Sequence, residues 1–187
     1  RPQRLYMNDG LIPRRYAKAL YKFALEKGQD DTMYRLMTAL CASFAAQPAL
    51  QSTMANPFVA DSAKQQLAVT ACGLSKPDKV LADLLQMLSD NKRLPMLHSI
   101  ALAYLDIYRH AHNIHQVTVT SAIPLDKATE KRIADVIQQQ IGPGGTMEYS
   151  SVVDPSIIGG FTVAIDNDKL DASIANELKQ LKLNLLQ

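Results

Sequence analysis

The chain has 187 residues, 47% hydrophobic and 20% charged, with a formal net charge of +2. These values exclude wholesale disorder and allow one large domain or two small ones, each with its own core. The weak net charge and the lack of any Lys/Arg run argue against a nucleic-acid binder, and no apolar run approaches the ~18 residues of a membrane span.

The opening "RPQRLYMNDG" has no initial methionine and no signal-peptide pattern. Met7 is the expected start, with residues 1–6 an extension and residues 1–11 a flexible lead into the fold. From Ile12 to Asn113 a helical pattern dominates. It predicts helices over Ile12–Lys27, Asp30–Ala46, a short one near Pro48–Ala55, then Asp61–Cys72, Pro77–Asn91 and Arg93–His112. Gly28, Pro48, Pro57 and Gly73 punctuate them, and Asp30, Asp61 and Ser75 read as N-caps. Cys41 and Cys72 lie inside apolar helical patterns with no CxxC, which reads as two buried free thiols in a reducing compartment.

After Asn113 the character changes. "HQVTVTSA" alternates and is rich in β-branched residues, so it reads as a strand. Asp126 then caps a helix to about Ile141 with Ile133, Val136, Ile137 and Ile141 on one stripe. "GPGG" (Gly142 to Gly145) is a loop, strands follow at Met147–Val153 and Phe161–Ile165, and a last helix starts near Ile174. Its stripe of Ile174, Leu178 and Leu181 either covers the sheet or meets a partner. The predicted architecture is an all-α domain over residues 1–112 and a smaller α/β (α+β) domain over residues 113–187.

Two helices carry more apolar surface than one core needs. On the first, Ile12, Tyr16, Ala19, Leu20 and Phe23 fall together, and Ala17, Tyr21, Ala24 and Leu25 widen the arc to roughly 240°. Only Arg15, Lys18, Lys22 and Glu26 form a polar strip. Over Arg93–His112, Leu94, Leu97, Ala101, Leu105 and Tyr108 make one stripe, flanked by Ile100, Tyr104 and Ile107 on one side and Leu102 on the other. Such an arc belongs either to a helix central in a bundle or to a groove for a partner helix.

Motifs for chemistry are weak. Gly159-Gly160 enters a strand rather than a helix and matches neither GxxxxGK[ST] nor GxGxxG, so it reads as a bulge or close backbone contact rather than a phosphate cradle. His110, His112 and His115 in "HAHNIH" do not share a helix face and read as a solvated helix end. Asp154, Asp166, Asp168 and Asp171 flank turns, and "DNDKLDAS" lacks the glycine and closing glutamate of a calcium loop. "NKR" (Asn91 to Arg93) is a charged helix junction, too short for a basic patch.

Three stretches resemble a known family. "RRYAKALYKFA" (Arg14 to Ala24) resembles the opening helix of the delta subunit of the rotary ATP synthase, the oligomycin-sensitivity-conferring protein of mitochondria. "LLQMLSDNKRLPMLHSIALAYLDIY" (Leu84 to Tyr108) resembles the end of that family's N-terminal domain, including its asparagine-x-arginine at Asn91 and Arg93. "VVDPSIIGGFTVAIDNDKLDASIANELKQL" (Val152 to Leu181) resembles the C-terminal signature, carried here by Asp154, Pro155, Ser156, Gly159, Gly160, Asp171 and Ser173.

The resemblance implies a six-helix N-terminal bundle, a C-terminal α/β domain, and a stator protein with no catalytic residue, no cofactor, no metal and no small-molecule substrate. It implies that the N-terminal domain binds N-terminal helices of the alpha subunits of the catalytic head, and the C-terminal domain the b subunits of the peripheral stalk. The family's groove is expected on the first and last N-terminal helices, with Tyr16, Leu20, Phe23, Leu97, Ala101 and Tyr104 as candidates. The expected location is peripheral, on the cytoplasmic face of a bacterial inner membrane, or else the inner side of a mitochondrion or plastid. A helical adaptor of another complex, binding an amphipathic partner helix, is the alternative.

Overall fold

The computed structural model describes residues 10–157, 160–166 and 179. Among them are seven α-helices, one 3-10 turn and three strands. The helices are α1 (Leu11–Glu26), α2 (Asp30–Ala46), α3 (Ala49–Ala55), α4 (Asp61–Ala71), α5 (Lys79–Asp90), α6 (Leu97–Ala111) and α7 (Lys127–Ile141). The strands are β1 (Ile114–Ser121), β2 (Thr146–Val153) and β3 (Phe161–Ile165). The chain divides into two compact units that part between Tyr108 and Arg109. The helix expected from Ile174, with Leu178 and Leu181, lies outside the described residues, as do the extension and Met7.

In the first unit the helix ends follow local chemistry. Gly28, at φ 65°, closes α1, where the Gln29 N–H donates to the Ala24 carbonyl at 2.8 Å. Left-handed backbone there lets the last carbonyls find donors at little steric cost. Three expected N-caps are corrected. Asp30 and Asp61 are first helical residues rather than caps, where their charge still suits the positive end of the helix. The cap of α5 is Asp78, not Ser75; its carboxylate accepts from the Lys79 N–H at 2.7 Å. Asp61 instead ties the start of α4 to the end of α5, accepting from Ser89 Oγ and Lys92 Nζ, each at 3.1 Å.

The last helical segment of this unit is not one helix. Pro95 sits in the 3-10 turn Leu94–Met96, and α6 begins only at Leu97. Here α6 is central: Leu97, Ile100, Ala101 and Tyr104 are fully buried, and Leu105 and Tyr108 nearly so. Tyr104 donates its hydroxyl to the Asp30 carbonyl at 2.9 Å. Tyr34 stacks on Tyr108 with ring centroids 4.2 Å apart, and Tyr21 meets Tyr104 edge-on at 6.0 Å. Burial first, then the Asp30 carboxylate, raises the Tyr104 hydroxyl above the usual tyrosine range, so it stays a donor at any working pH. Cys72 is buried and its thiol is pushed up to about 12, chiefly by that burial, whereas Cys41 is only half-buried, contrary to expectation.

The second unit is a three-stranded sheet in the order β2-β1-β3, with β1 and β2 parallel and β1 and β3 antiparallel. A parallel pair needs a crossover, which α7 supplies. Val117, Val119, Ile133, Ile137, Phe161 and Val163 form the core, with Val136 and Ile141 packed against it. Gly145 is sterically required, because a Cβ there would lie 2.1 Å from Ile141 Cγ2. His115, expected at a helix end, is instead a β1 residue; its Nδ1 lies 2.5 Å from an Asp166 oxygen and its Nε2 3.1 Å from Asn113 Oδ1.

Asp126 caps α7, accepting from the Thr129 N–H at 2.6 Å. Hydrogen bonds from the Thr129 side chain and backbone hold its carboxyl below the usual aspartate range. A carboxyl depressed in the folded state stabilises the fold above its ordinary pKa and loses that contribution as pH falls through the folded value. Asp126→Asn keeps an acceptor oxygen but cannot titrate. Melting curves from pH 7 to pH 3 are expected to fall less steeply for Asp126→Asn than for the wild type below about pH 4. Superimposable pH profiles would remove this role.

Candidate partner-helix groove

Helices α1 and α5 pack against each other in unit 1. Their apolar faces meet only partly, and two adjoining hollows open along the seam. One, of about 250 Å³, is lined by Ala19, Leu20, Phe23, Val80, Asp83, Leu84 and Met87. The next, of about 310 Å³, is lined by Ile12, Arg15, Tyr16, Ala19, Met87 and Arg93. Ala19 and Met87 belong to both, so the hollows are one groove. The early residues of α1 face the end of α5 and the late residues of α1 face its start, so the helices run antiparallel. From Ile12 to Phe23 the groove spans about 16 Å at the rise of an α-helix, roughly three turns of an incoming helix.

The groove exists because α1 has more apolar arc than its neighbours cover. Ala17, Leu20 and Ala24 are buried; Ile12, Tyr16, Tyr21 and Phe23 are half-buried; Ala19 and Leu25 are exposed. Leu20 is 5% exposed and forms the floor, while Ala19 leaves the notch between the two walls. Met87 on the opposite wall is 39% exposed. Two aromatic rings are held by cations at the rim: Arg93 stands over Tyr16 at 5.5 Å and Lys27 over Phe23 at 5.6 Å.

Of the six residues expected in a groove, Tyr16, Leu20 and Phe23 line this one. Leu97, Ala101 and Tyr104 are corrected: they are fully buried core residues of α6. The arc of α6 is wide because α6 is surrounded, and only Leu102 of its large apolar residues is exposed. The second wall belongs to α5, whose Val80, Asp83, Leu84 and Met87 sequence reasoning missed. The signal was present: Met87, seven residues after Val80 and three after Leu84, sits at the edge of the Val80, Leu81, Leu84, Leu85 and Leu88 stripe and widens it to about 160°.

The second unit carries the remaining signature. The Asp154 carboxylate accepts from the Ser156 N–H at 2.9 Å, and the Asp154 N–H donates to the Ser121 carbonyl at 2.8 Å, which ties this turn to the end of β1. Gly160 takes φ 74° immediately before β3, and its carbonyl accepts from Ala122 N–H at 3.5 Å. Gly159, Asp168, Asp171 and Ser173 lie outside the described residues. Among the described residues no cluster of three or more His, Cys, Asp or Glu side chains is placed to hold a metal ion.

The model of the family described as "ATP synthase delta (OSCP) subunit" matches residues 12–185. The chain belongs to this family. The family is one of non-catalytic, stator-linking subunits of ATP synthase. An ATP synthase subunit delta of Bacteroides thetaiotaomicron is 38% identical over 181 residues, covering 94% of each chain. One from Parabacteroides distasonis is 33% identical, covering 97% of this chain and 99% of that one. A chain in the structure of the Toxoplasma gondii mitochondrial ATP synthase hexamer superposes with a TM-score of 0.63 at 28% identity, covering 94% of this delta-family chain and 97% of its own. No described helix is long and apolar enough to cross a membrane.

Proposed function

We propose that this delta-family chain holds the catalytic head of a proton-translocating ATP synthase against co-rotation by seating an amphipathic N-terminal helix of a head alpha subunit in the α1/α5 groove. The groove is the observation that carries this reading. It is apolar along its floor, polar at its rim, and long enough for about three helical turns. A stator contact needs affinity and stiffness rather than chemistry, and burying an apolar helix face yields ~25 cal/mol per Å² less the cost of ordering the helix. The six helices before β1 act together as the head-binding bundle of residues 1–112, and residues 113–187 take the b subunits of the peripheral stalk.

Exposed apolar residues at one end of the sheet support the stalk contact. Val153 pairs with Ser121 in the β1–β2 register, and Ile123 follows just beyond β1; Ile123, Val152 and Val153 are all exposed. On this reading the chain works peripherally, on the cytoplasmic face of a bacterial inner membrane or the equivalent organellar side.

Calorimetric titration with a synthetic peptide of the cognate alpha-subunit N-terminus tests the groove. One-to-one saturable binding with a negative heat-capacity change is expected, the mark of apolar burial. A folded chain that binds no such peptide at tens of micromolar would overturn the reading.

A further inference from the structure

The Asn91-Lys92-Arg93 junction ends at the groove, and its geometry singles out one of its two cations. Asn91 Nδ2 donates to the Met87 carbonyl and the Arg93 N–H to the Leu88 carbonyl, both at 2.7 Å, which closes α5 firmly. Lys92 takes φ 57°, and its ammonium is engaged by Asp61. Arg93 is thereby delivered to the groove rim, its guanidinium carbon 5.5 Å from the centre of the Tyr16 ring. Arg15 lines the same end. The neighbouring Arg14 is occupied, pairing with Asp106 at 3.4 Å. No carboxylate among the described residues lies within ion-pair distance of Arg15 or Arg93.

The opposite end differs. Asp83 lines it, and Lys27 stands over the Phe23 ring, so a carboxylate and an ammonium are both present there. Among the described residues the groove therefore has two cations with no carboxylate partner at its Ile12 end and one charge of each sign at its Phe23 end. Arginine suits the task, since its planar fork stacks on an aromatic ring while its N–H groups meet a carboxylate.

We propose that Arg15 and Arg93 form a carboxylate clamp that sets the register of the helix bound in this groove. The occupant is an amphipathic helix of about three to four turns. Its apolar face lies over Ala19, Leu20, Phe23, Leu84 and Met87, and an aspartate or glutamate at one end reaches the two guanidiniums. The clamp rests on the helix-in-groove reading and adds to it the chemistry that selects the partner and fixes its position.

The probe is the alpha-subunit N-terminal peptide in two forms, natural and with every Asp and Glu changed to Asn and Gln, titrated into the full chain at low and high salt. Arg15→Gln/Arg93→Gln is expected to weaken the natural peptide about tenfold or more at low salt, with a smaller loss at high salt. The neutral peptide is expected to bind wild type and double variant alike, so the two losses are not additive. Arg93→Lys retains part of the affinity, and Arg14→Gln leaves it unchanged. Arg15 is exposed, so Arg15→Gln keeps the wild-type melting profile; Arg93 is half-buried beside Tyr16, and Arg15→Gln alone tests the clamp if Arg93→Gln disturbs Tyr16. Unchanged binding of the natural peptide by the double variant would overturn the clamp and leave the groove intact. Failure of the wild-type chain to bind either peptide would overturn the groove reading and the clamp together.

Discussion

Ala101→Asp is expected to unfold the helical unit. Ala101 is fully buried on the central helix α6, between Leu97 and Tyr104, which are fully buried too. A carboxylate there loses its hydration, and even its neutral form lacks room and partners. Stranding a polar or charged group in an apolar interior costs several kcal/mol, and the added volume costs about 1–3 kcal/mol more. Domains of this size hold about 5–15 kcal/mol in all. The expected result is loss of most helical circular dichroism near room temperature, or a fall of tens of degrees in the melting midpoint. A midpoint within a few degrees of wild type would mean that α6 has an open face at Ala101 and that the groove lies there after all.

Ala19→Asp makes the same chemical change one helix away, with the opposite outcome. Ala19 is exposed in the free chain and lies where the two hollows of the groove join. An aspartate on an exposed helix face costs no more than about 0.7 kcal/mol in propensity, so the melting midpoint moves by only a few degrees. Binding is another matter. A helix seated in the groove must cover that carboxylate with apolar side chains, at the centre of the contact, where truncation or charge is felt most. Affinity for the alpha-subunit N-terminal peptide is expected to fall at least about 100-fold in calorimetry, a loss of ~2.7 kcal/mol or more. Affinity within threefold of wild type would move the occupant off this groove. Together the two variants separate a folding defect from a binding defect with one amino-acid change.

Several features were legible because they are local. Helix and strand periodicity placed the seven described α-helices and three described strands to within a few residues, though not the 3-10 turn at Leu94–Met96, and Asp126 capped its helix as expected. Where several short polar residues compete for one helix start, the sequence is ambiguous: Ser75, Asp78 and the fixed φ of Pro77 all stand near the start of α5, and only the traced backbone selects Asp78. His115 looked like part of a histidine-rich helix end because its carboxylate, Asp166, is far away in sequence and is brought beside it by the antiparallel pairing of β1 with β3.

What the sequence by itself determined is the order of elements, the change of character near Asn113, the stretches that carry the family likeness, and the excess apolar arc of two helices. Each is a property of neighbouring residues, written in spacing and side-chain type. Only the tertiary structure decided which excess is used inside. The width of an arc states how much surface seeks cover, not which neighbour supplies it. In α6 the surrounding helices supply it, so Leu97, Ala101 and Tyr104 are core. In α1 the cover stops short, because α5 meets it along Leu20 and leaves Ala19, Tyr16 and Phe23 facing Met87 across an open seam. That residue of uncovered apolar surface, with Arg15 and Arg93 at its end, depends on contacts between segments some seventy positions apart, and no local pattern encodes it.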